Sequence, residues 1–176
     1  ALPVGIISAI KRNTLTDHVS RVIALLGISI PNFWLGLVFI IVFGVYLRWL
    51  PPGGFHFNKG FVPGVMILIL PAVSLGAFFA AISLRMVRSS MLEVMRKEYI
   101  ETARAKGLTR AKVFVRHVFR NALLPILTIV GLQVGHLLSG TVIVETVFSR
   151  PGLGRLLVQA ILSKDYLTVQ AVVLII

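Results

Sequence analysis

The sequence predicts an all-α integral membrane protein, a polytopic helical bundle, from its composition and from the distribution of its charges. Hydrophobic residues make up 57% of the 176 residues and charged residues 14%, whereas a soluble domain carries about 25% charged residues. Three segments without Asp, Glu, Lys or Arg, residues 22–47, 60–84 and 121–144, each exceed the roughly 20 residues that cross a hydrocarbon core as a helix. Barrel strands are shorter, about 9–11 residues, and alternate between polar and apolar residues. Three full transmembrane helices are therefore predicted.

Both ends of the chain are predicted to belong to further membrane helices. Residues 1–10 and 168–176 carry no charged side chain, but each segment is too short to cross a membrane alone. The first segment also lacks the basic, apolar and small-residue pattern of a signal peptide. We therefore expect an interior piece of a longer membrane protein, with one transmembrane domain of about three full and two partial helices over residues 1–176. The absence of cysteine excludes disulfides and thiolate sites.

The Lys and Arg residues predict which loops face the cytoplasm. Residues 85–120, which we call the basic block, hold ten of the 18 basic side chains, and residues 11–21 hold three more on the same side. The opposite side has five, so the positive-inside rule places the basic block in the cytoplasm. The net charge of +12 would also suit nucleic-acid binding. No nucleic-acid partner is expected, however, because the charges lie in short loops and no basic surface interleaved with aromatic residues is present.

The first two predicted spans carry features that concern packing. Pro31 removes a backbone donor from the first span and is expected to kink it. Trp49 and the Pro-Pro-Gly-Gly run at residues 51–54 mark the exit of that span into the far interface and a turn. In the second span, Gly76 and Ala80 have the spacing of small residues that lets helices approach closely.

The third span is the most polar of the three, and its polar residues share one helical face. Gln133, His136 and Ser139 recur at intervals of three residues. Polar groups within a membrane face a cavity or another helix and not lipid. This face therefore either lines a translocation path or forms hydrogen bonds between helices, and the sequence leaves both interpretations open. No second His or carboxylate lies at ligand spacing around His136, so no metal site is predicted.

Residues 146–167, after the third span, are predicted to form an external amphipathic segment. Pro151, Gly152 and Gly154 mark a turn at its start. The apolar residues that follow recur at helical spacing: Leu153, Leu156, Leu157, Ala160 and Ile161. A short helix that rests on the membrane interface or on a pore mouth is expected here.

The basic block is predicted to fold as a helix, a glycine corner and a second helix. Its first apolar stripe consists of residues three or four positions apart: Leu92, Met95, Tyr99 and Ala103. Gly107 is expected to end that helix, and Thr109 to begin the next one. Attraction to anionic lipid headgroups, worth about 1 kcal/mol per basic residue, would need neither the corner nor two apolar stripes. We therefore interpret the block as a docking element for a soluble protein, with a lipid-bound loop as the alternative.

Motifs within the basic block resemble the permease subunits of bacterial ABC importers. Glu101-Thr-Ala103, followed after three residues by Gly107, resembles their "EAA…G" motif. The run Thr-Ala-Arg-Ala-Lys-Gly-Leu at residues 102–108, with Arg-His-Val-Phe-Arg-Asn-Ala-Leu-Leu-Pro at residues 116–125, is more closely similar to the dipeptide/oligopeptide/nickel permease family.

The resemblance extends over essentially the whole chain. Phe-Ser-Arg-Pro-Gly-Leu-Gly-Arg at residues 148–155 and Lys-Asp-Tyr at residues 164–166 look like that family's external segment. The general importer motif places a Leu-Pro pair soon after its glycine, where this chain has Phe119 and Arg120. Here the pair comes five residues later, as in the peptide and nickel branch.

The resemblance implies a type I ABC importer permease fold, similar to that of methionine importers, in the bacterial inner membrane. In that family the EAA segment forms the coupling helix, which sits in a cleft of a cytoplasmic ABC ATPase. The positions carried over to this chain are Glu101, Ala103, Arg104, Ala105, Lys106 and Gly107. The implied partners are the ATPase subunits, a second and homologous permease subunit, an extracytoplasmic solute-binding protein and membrane lipid.

The implied function is transport and not catalysis. The sequence has no P-loop, so ATP hydrolysis is expected on a separate subunit, and no cofactor is expected. The family serves peptides, nickel and other small solutes, and the sequence does not choose among them. A membrane scaffold or lipid-interacting protein without a transport path remains the alternative. A secondary transporter is disfavoured because the only acidic residue near a span is Glu145, whereas ion coupling usually relies on carboxylates within the membrane.

Overall fold

A computed structural model describes residues 1–54 and 61–175, apart from the side chains of residues 138–140. Throughout this part of the chain the regular structure is helical. In chain order the helices are α1 (Leu2–Ile10), α2 (Leu15–Ser29), α3 (Asn32–Phe39), α4 (Phe61–Met95), α5 (Glu98–Ala105), α6 (Arg110–Val113), α7 (Arg120–Val147), α8 (Leu153–Leu162) and α9 (Tyr166–Ile175). The π-helical segment Ile40–Tyr46 continues α3, and a second one, Phe114–Phe119, joins α6 to α7. Gly60 and Ile176, which bound two of the predicted segments, lie outside the described residues.

Contacts between helices divide the chain into two compact units. The first unit contains Ala1–Ser29 and Phe79–Gln133, and the second contains Ile30–Phe78 and Val134–Ile176. Helices α4 and α7 each contribute residues to both units. The sequence predicted a single domain, and the packing distinguishes these two units within it.

Two helices of the described chain are long and apolar enough to cross a membrane, as expected of a multi-pass membrane protein. These helices are α4 and the stretch Arg110–Leu137. Helix α2 and the helix Asn32–Tyr46 form a third candidate span if the two are counted together as one span. Between α2 and α3, Pro31 is extended, with φ −61° and ψ 137°. The expected kink at Pro31 is therefore a break in the helix. Proline donates no backbone hydrogen bond, and it also disfavours helical geometry in the residue before it.

Pro71 lies inside α4 and leaves one carbonyl group without its usual helical partner. Because proline has no N–H, the carbonyl oxygen of Ile67 cannot accept the bond from four residues ahead. A long hydrogen bond of 3.5 Å from the Arg150 guanidinium reaches this oxygen instead. The buried Ser74 hydroxyl donates to the Pro71 carbonyl at 2.9 Å. The Arg150 bond therefore partly replaces the one that Pro71 removes from α4.

The turn after α7 is fixed within the second unit by Phe148. Its ring is fully buried and packs so closely on α3 that a Cβ atom added at Gly36 would lie 3.1 Å from it. The carbonyl oxygen of Phe148 accepts a hydrogen bond from the Gly54 N–H at 3.2 Å. The predicted external segment thus begins with a packed turn.

Helix α8 follows this turn, and a hydrogen bond to the first turn of α8 holds this helix in place. The Glu145 carboxylate accepts a hydrogen bond of 2.9 Å from the Arg155 backbone N–H, in the first turn of α8. Of the apolar residues predicted to share one face of α8, only Ala160 is buried, and Leu153, Leu156 and Ile161 stay exposed in this chain. At the following turn, the Thr168 hydroxyl and then its N–H donate to Asp165 and hold the pKa of that carboxyl below its usual value.

Replacing Gly154 with alanine is expected to loosen α8. A Cβ atom at this buried position would lie 2.7 Å from the Cα atom of Val142, and backbone cannot move aside as a side chain can. Overpacking of this kind typically costs about 1–3 kcal/mol. Limited proteolysis of the membrane-embedded protein should therefore cut the segment around residues 149–153 faster in Gly154→Ala. The matched control is Gly131→Ala, because Gly131 has open space around it. Equal cleavage rates would contradict the packing described here.

Candidate functional site

Helix α5 carries most of the residues predicted to couple to an ATPase, and two side chains hold it on the first unit. Ile100 and Ala103 are buried. They belong to one hydrophobic cluster with residues from α1, α4, α6, α7 and the π-helical segment: Ala9, Val87, Met91, Val94, Val113, Val118, Ala122 and Ile126. The short helix therefore packs onto the ends of several longer ones.

The predicted glycine corner is confirmed by the backbone. Gly107 has a φ of +78°, a left-handed conformation that glycine adopts without strain. The Gly107 N–H donates to the Arg104 carbonyl at 2.9 Å, and the Leu108 N–H donates to the Ala103 carbonyl at 3.4 Å. This pair of bonds is the Schellman motif that ends many helices. The Thr109 hydroxyl accepts from the Lys112 N–H at 3.4 Å, which confirms Thr109 as the cap of the next helix, α6.

The six predicted coupling residues divide into one inward and five outward positions. Ala103 faces the cluster beneath α5. The residues exposed to the surroundings are Glu101, Arg104, Ala105, Lys106 and Gly107. None of the five takes part in an ion pair within the described chain. Their charges are thus available to a partner, while the small size of Ala103 lets α5 approach its own unit.

The predicted apolar stripe of the basic block is wrong at one position. Tyr99 was expected on the buried face, but it is 43% exposed, and its neighbour Ile100 is fully buried. The reason is a break in the helix, since α4 ends at Met95 and α5 begins at Glu98. A stripe counted across that break shifts by one residue.

A cavity of about 550 Å³ opens beside α5 in the first unit. Arg104 and Arg110 line it together with apolar side chains that include Met95 and Phe114. Two guanidinium groups above an apolar floor suit a partner segment that carries both a carboxylate and an apolar side chain.

A buried ion pair lies on the same unit, and the sequence did not predict it. The Asp17 carboxylate, 0% exposed, accepts from the Arg88 Nε at 2.6 Å and the Arg88 Nη2 at 2.9 Å. It also accepts from the Ser8 hydroxyl at 2.6 Å and from the Asn13 N–H at 3.0 Å. The only signal in the sequence was one acidic residue in a turn with basic neighbours, which did not point to a partner 71 residues away.

The structure describes the side chains of only part of the polar face predicted on α7. The Gln133 side chain is half-buried, and its Oε1 accepts a hydrogen bond from the Ser83 hydroxyl at 2.9 Å. Its Nε2 is buried and has no hydrogen-bond partner within the described residues. His136 is exposed, and the side chain of Ser139 lies outside the described ones. For Gln133, the interpretation as a bond between helices has direct support.

The long apolar helices define a membrane protein, and its family gives the class of membrane protein. The family model described as "Binding-protein-dependent transport system inner membrane component" matches residues 1–176, and the chain belongs to this family. It is thus a multi-pass protein of the bacterial inner membrane. The family fits a permease and does not fit the scaffold that the sequence left as an alternative.

Curated relatives are permeases named for peptide-like solutes. The chain is 41% identical to the dipeptide transport system permease protein DppB of Escherichia coli (strain K12), covering 99% of this chain and 59% of the relative. It is 44% identical to the di/tripeptide transport system permease protein DppB of Pseudomonas aeruginosa (strain UCBPP-PA14), with 98% and 57% covered. It is also 44% identical to the glutathione transport system permease protein GsiC of Escherichia coli (strain K12), with 97% and 54% covered. The chain spans somewhat more than half the length of these relatives.

Proposed function

We propose that this chain belongs to a permease subunit in an ATP-driven ABC importer. The observation that carries the proposal is the family match over all 176 residues. The relatives named above are permeases for dipeptides, di/tripeptides and glutathione, which favours a peptide-like solute over nickel. A solute-binding protein would deliver this solute from outside, and a second, homologous permease subunit would complete the path.

The residues around Gly107 are proposed to dock on a cytoplasmic ATPase subunit. The excess of basic residues on one side of the spans supports a cytoplasmic position for the basic block. The exposure of Arg104 and Lys106, together with the cavity beside α5, supports a contact with an acidic and apolar partner surface. Energy would enter the chain at this contact, because the sequence has no phosphate-binding loop of its own.

The proposed mechanism is alternating access driven by the ATPase. ATP binding would draw two ATPase subunits together, and each would carry its docked coupling helix with it. Because Ile100 and Ala103 are buried in a cluster that includes residues of α4 and α7, displacement of α5 would move the ends of these long helices. The path would then open outward to the loaded binding protein, and inward after hydrolysis.

Reversing the charge of Arg104 tests the docking site. In Arg104→Glu, we expect solute uptake by the reconstituted importer to fall at least about tenfold, because like charges facing each other across an interface cost several kcal/mol. Co-purification of the ATPase subunit should fall as well. Arg12→Glu is the matched control, since Arg12 is also exposed and is predicted to lie on the same side of the membrane. Unchanged coupled uptake in Arg104→Glu would rule out the docking site.

We further propose that the polar face of α7, with Gln133, His136 and Ser139, borders the translocation path. The chain has no native cysteine, so single cysteines can be introduced without background. His136→Cys should react with a membrane-impermeant thiol reagent, and addition of solute with its binding protein should change the rate. Leu132→Cys, at an exposed apolar position of the same helix, should react far more slowly. If the two variants react equally slowly, this face does not border the path.

A further inference from the structure

The Asp17 carboxylate joins three helices and the turn between two of them. Ser8 belongs to α1, Asn13 to the turn, Asp17 itself to α2 and Arg88 to α4. Four donors at 2.6–3.0 Å occupy both carboxylate oxygens, which is about the full capacity of an ionised carboxyl group. Asn13 adopts a φ of +61° and so turns its N–H toward Asp17.

This network lies beside the hydrophobic cluster that holds α5. Ala9, next to Ser8, is a member of the cluster, and so is Val87, next to Arg88. Helix α1 also touches α4 directly, because a Cβ atom added at Gly5 would lie 2.9 Å from the Val87 side chain. The same stretches of α1 and α4 therefore contribute both to the cluster that holds α5 and to the donors that bind the buried carboxylate.

We propose that Asp17 is a positioning residue for energy coupling, which makes the turn between α1 and α2 move as one body with α5. The Arg88 guanidinium binds the carboxylate with two bonds, so it fixes both the separation and the rotation of α2 relative to α4. Apolar contacts alone allow one helix to slide along another, whereas a two-bond ion pair does not. This inference rests on the proposed docking of α5 on an ATPase, and it extends that role to residues that no coupling motif contains.

Burial distinguishes this ion pair from the two others in the first unit, one of which is a 3.9 Å contact between the half-exposed Arg21 and Asp17 itself. Glu93, near the end of α4, also pairs with Lys97, four residues later, at 3.4 Å. The side chains of Lys97 and Glu93 are 53% and 72% exposed, however. Exposed pairs of this kind fix little, because water competes for both partners. Glu93→Gln therefore serves as a control with the same chemical change as Asp17→Asn.

Two measurements on the complete importer in lipid nanodiscs test the inference. In the first, spin labels on Arg12→Cys and Glu98→Cys report the distance between the turn and α5 by pulsed electron resonance. We expect a narrow distribution that stays the same with and without ATP and vanadate. In Asp17→Asn the distance distribution should broaden.

In the second measurement, the number of solute molecules transported per ATP should fall at least about fivefold in Asp17→Asn. A change of this size is at the lower end of typical coupling between sites. Glu93→Gln should leave both quantities unchanged.

Each outcome decides for or against the inference. A distribution that stays narrow in Asp17→Asn overturns it, whatever happens to transport. Broadening with an unchanged transport ratio overturns it as well, provided that Arg104→Glu lowers the ratio. If Arg104→Glu also leaves the ratio unchanged, the docking proposal has failed, and this inference falls with it. If Asp17→Asn does not assemble, the milder Ser8→Ala variant should show a smaller broadening and a smaller fall in the ratio, and no change in Ser8→Ala would count against the inference.

Discussion

Replacing Gly107 with valine is expected to abolish coupled transport while leaving the chain inserted in the membrane. At a φ of +78°, a residue with a side chain pays about 1–2 kcal/mol relative to a right-handed conformation, and a β-branched residue pays more. No atom lies within 4 Å of the position that a Cβ atom would take. The effect would therefore come from the backbone alone, through a changed end of α5. Solute uptake per ATP in the reconstituted importer measures it.

A series of substitutions separates the backbone from other causes. Gly107→Asn should keep part of the coupling, because asparagine tolerates the left-handed conformation better than other residues. Gly131→Ala is the control, since Gly131 lies within α7 and also has open space around it, but without a positive φ. If the valine variant couples as well as the wild type, the corner has no part in coupling. If asparagine and valine behave alike, the conformation of Gly107 is not the reason.

Features that depend on neighbouring residues could be predicted from the sequence. The uncharged segments predicted membrane helices, and the glycine at position 107 and the threonine at position 109 predicted a helix end and a helix start. Each of these follows from a local rule about hydrophobic length, left-handed backbone or capping. The family resemblance rested on similarly short motifs and was confirmed over the whole chain.

Features that depend on distant residues could not be predicted in the same way. The pairing of Asp17 with Arg88 joins residues 71 positions apart, and hydrophobic periodicity contains no information about it. The pattern of apolar residues also does not show where a helix is interrupted. At Pro31 the expected kink is a full break, and Tyr99 is exposed just after the interruption between Met95 and Glu98.

The second large effect concerns stability, and it is expected from Arg88→Leu. This substitution removes both short bonds from Arg88 to the fully buried Asp17 carboxylate. As an ion-pair partner it leaves only Arg21, whose Nε lies 3.9 Å away on a side chain that is 45% exposed. Removing one member of a buried pair typically costs about 3–5 kcal/mol, because the remaining charge stays out of water. We expect a lower unfolding temperature of the detergent-solubilised importer, measured by the loss of its monodisperse elution after heating. Lys97→Leu breaks the exposed pair with Glu93 and should change stability by no more than about 0.5 kcal/mol.

The double variant Asp17→Leu/Arg88→Leu distinguishes a buried charge from lost packing. With both charges removed, the neutral donors of Ser8 and Asn13 lose their partner, and the half-exposed Arg21 loses a long 3.9 Å contact. Replacing a whole buried ion pair by apolar residues is often close to neutral. The double variant should therefore unfold at a higher temperature than Arg88→Leu alone, although it contains one more substitution. Additive destabilisation would show that lost packing, and not an unpaired buried charge, accounts for the effect of Arg88→Leu. A stable double variant that also transports fewer solute molecules per ATP would separate the two roles of the pair, since its fold would be intact while its rigid link between α2 and α4 would be gone.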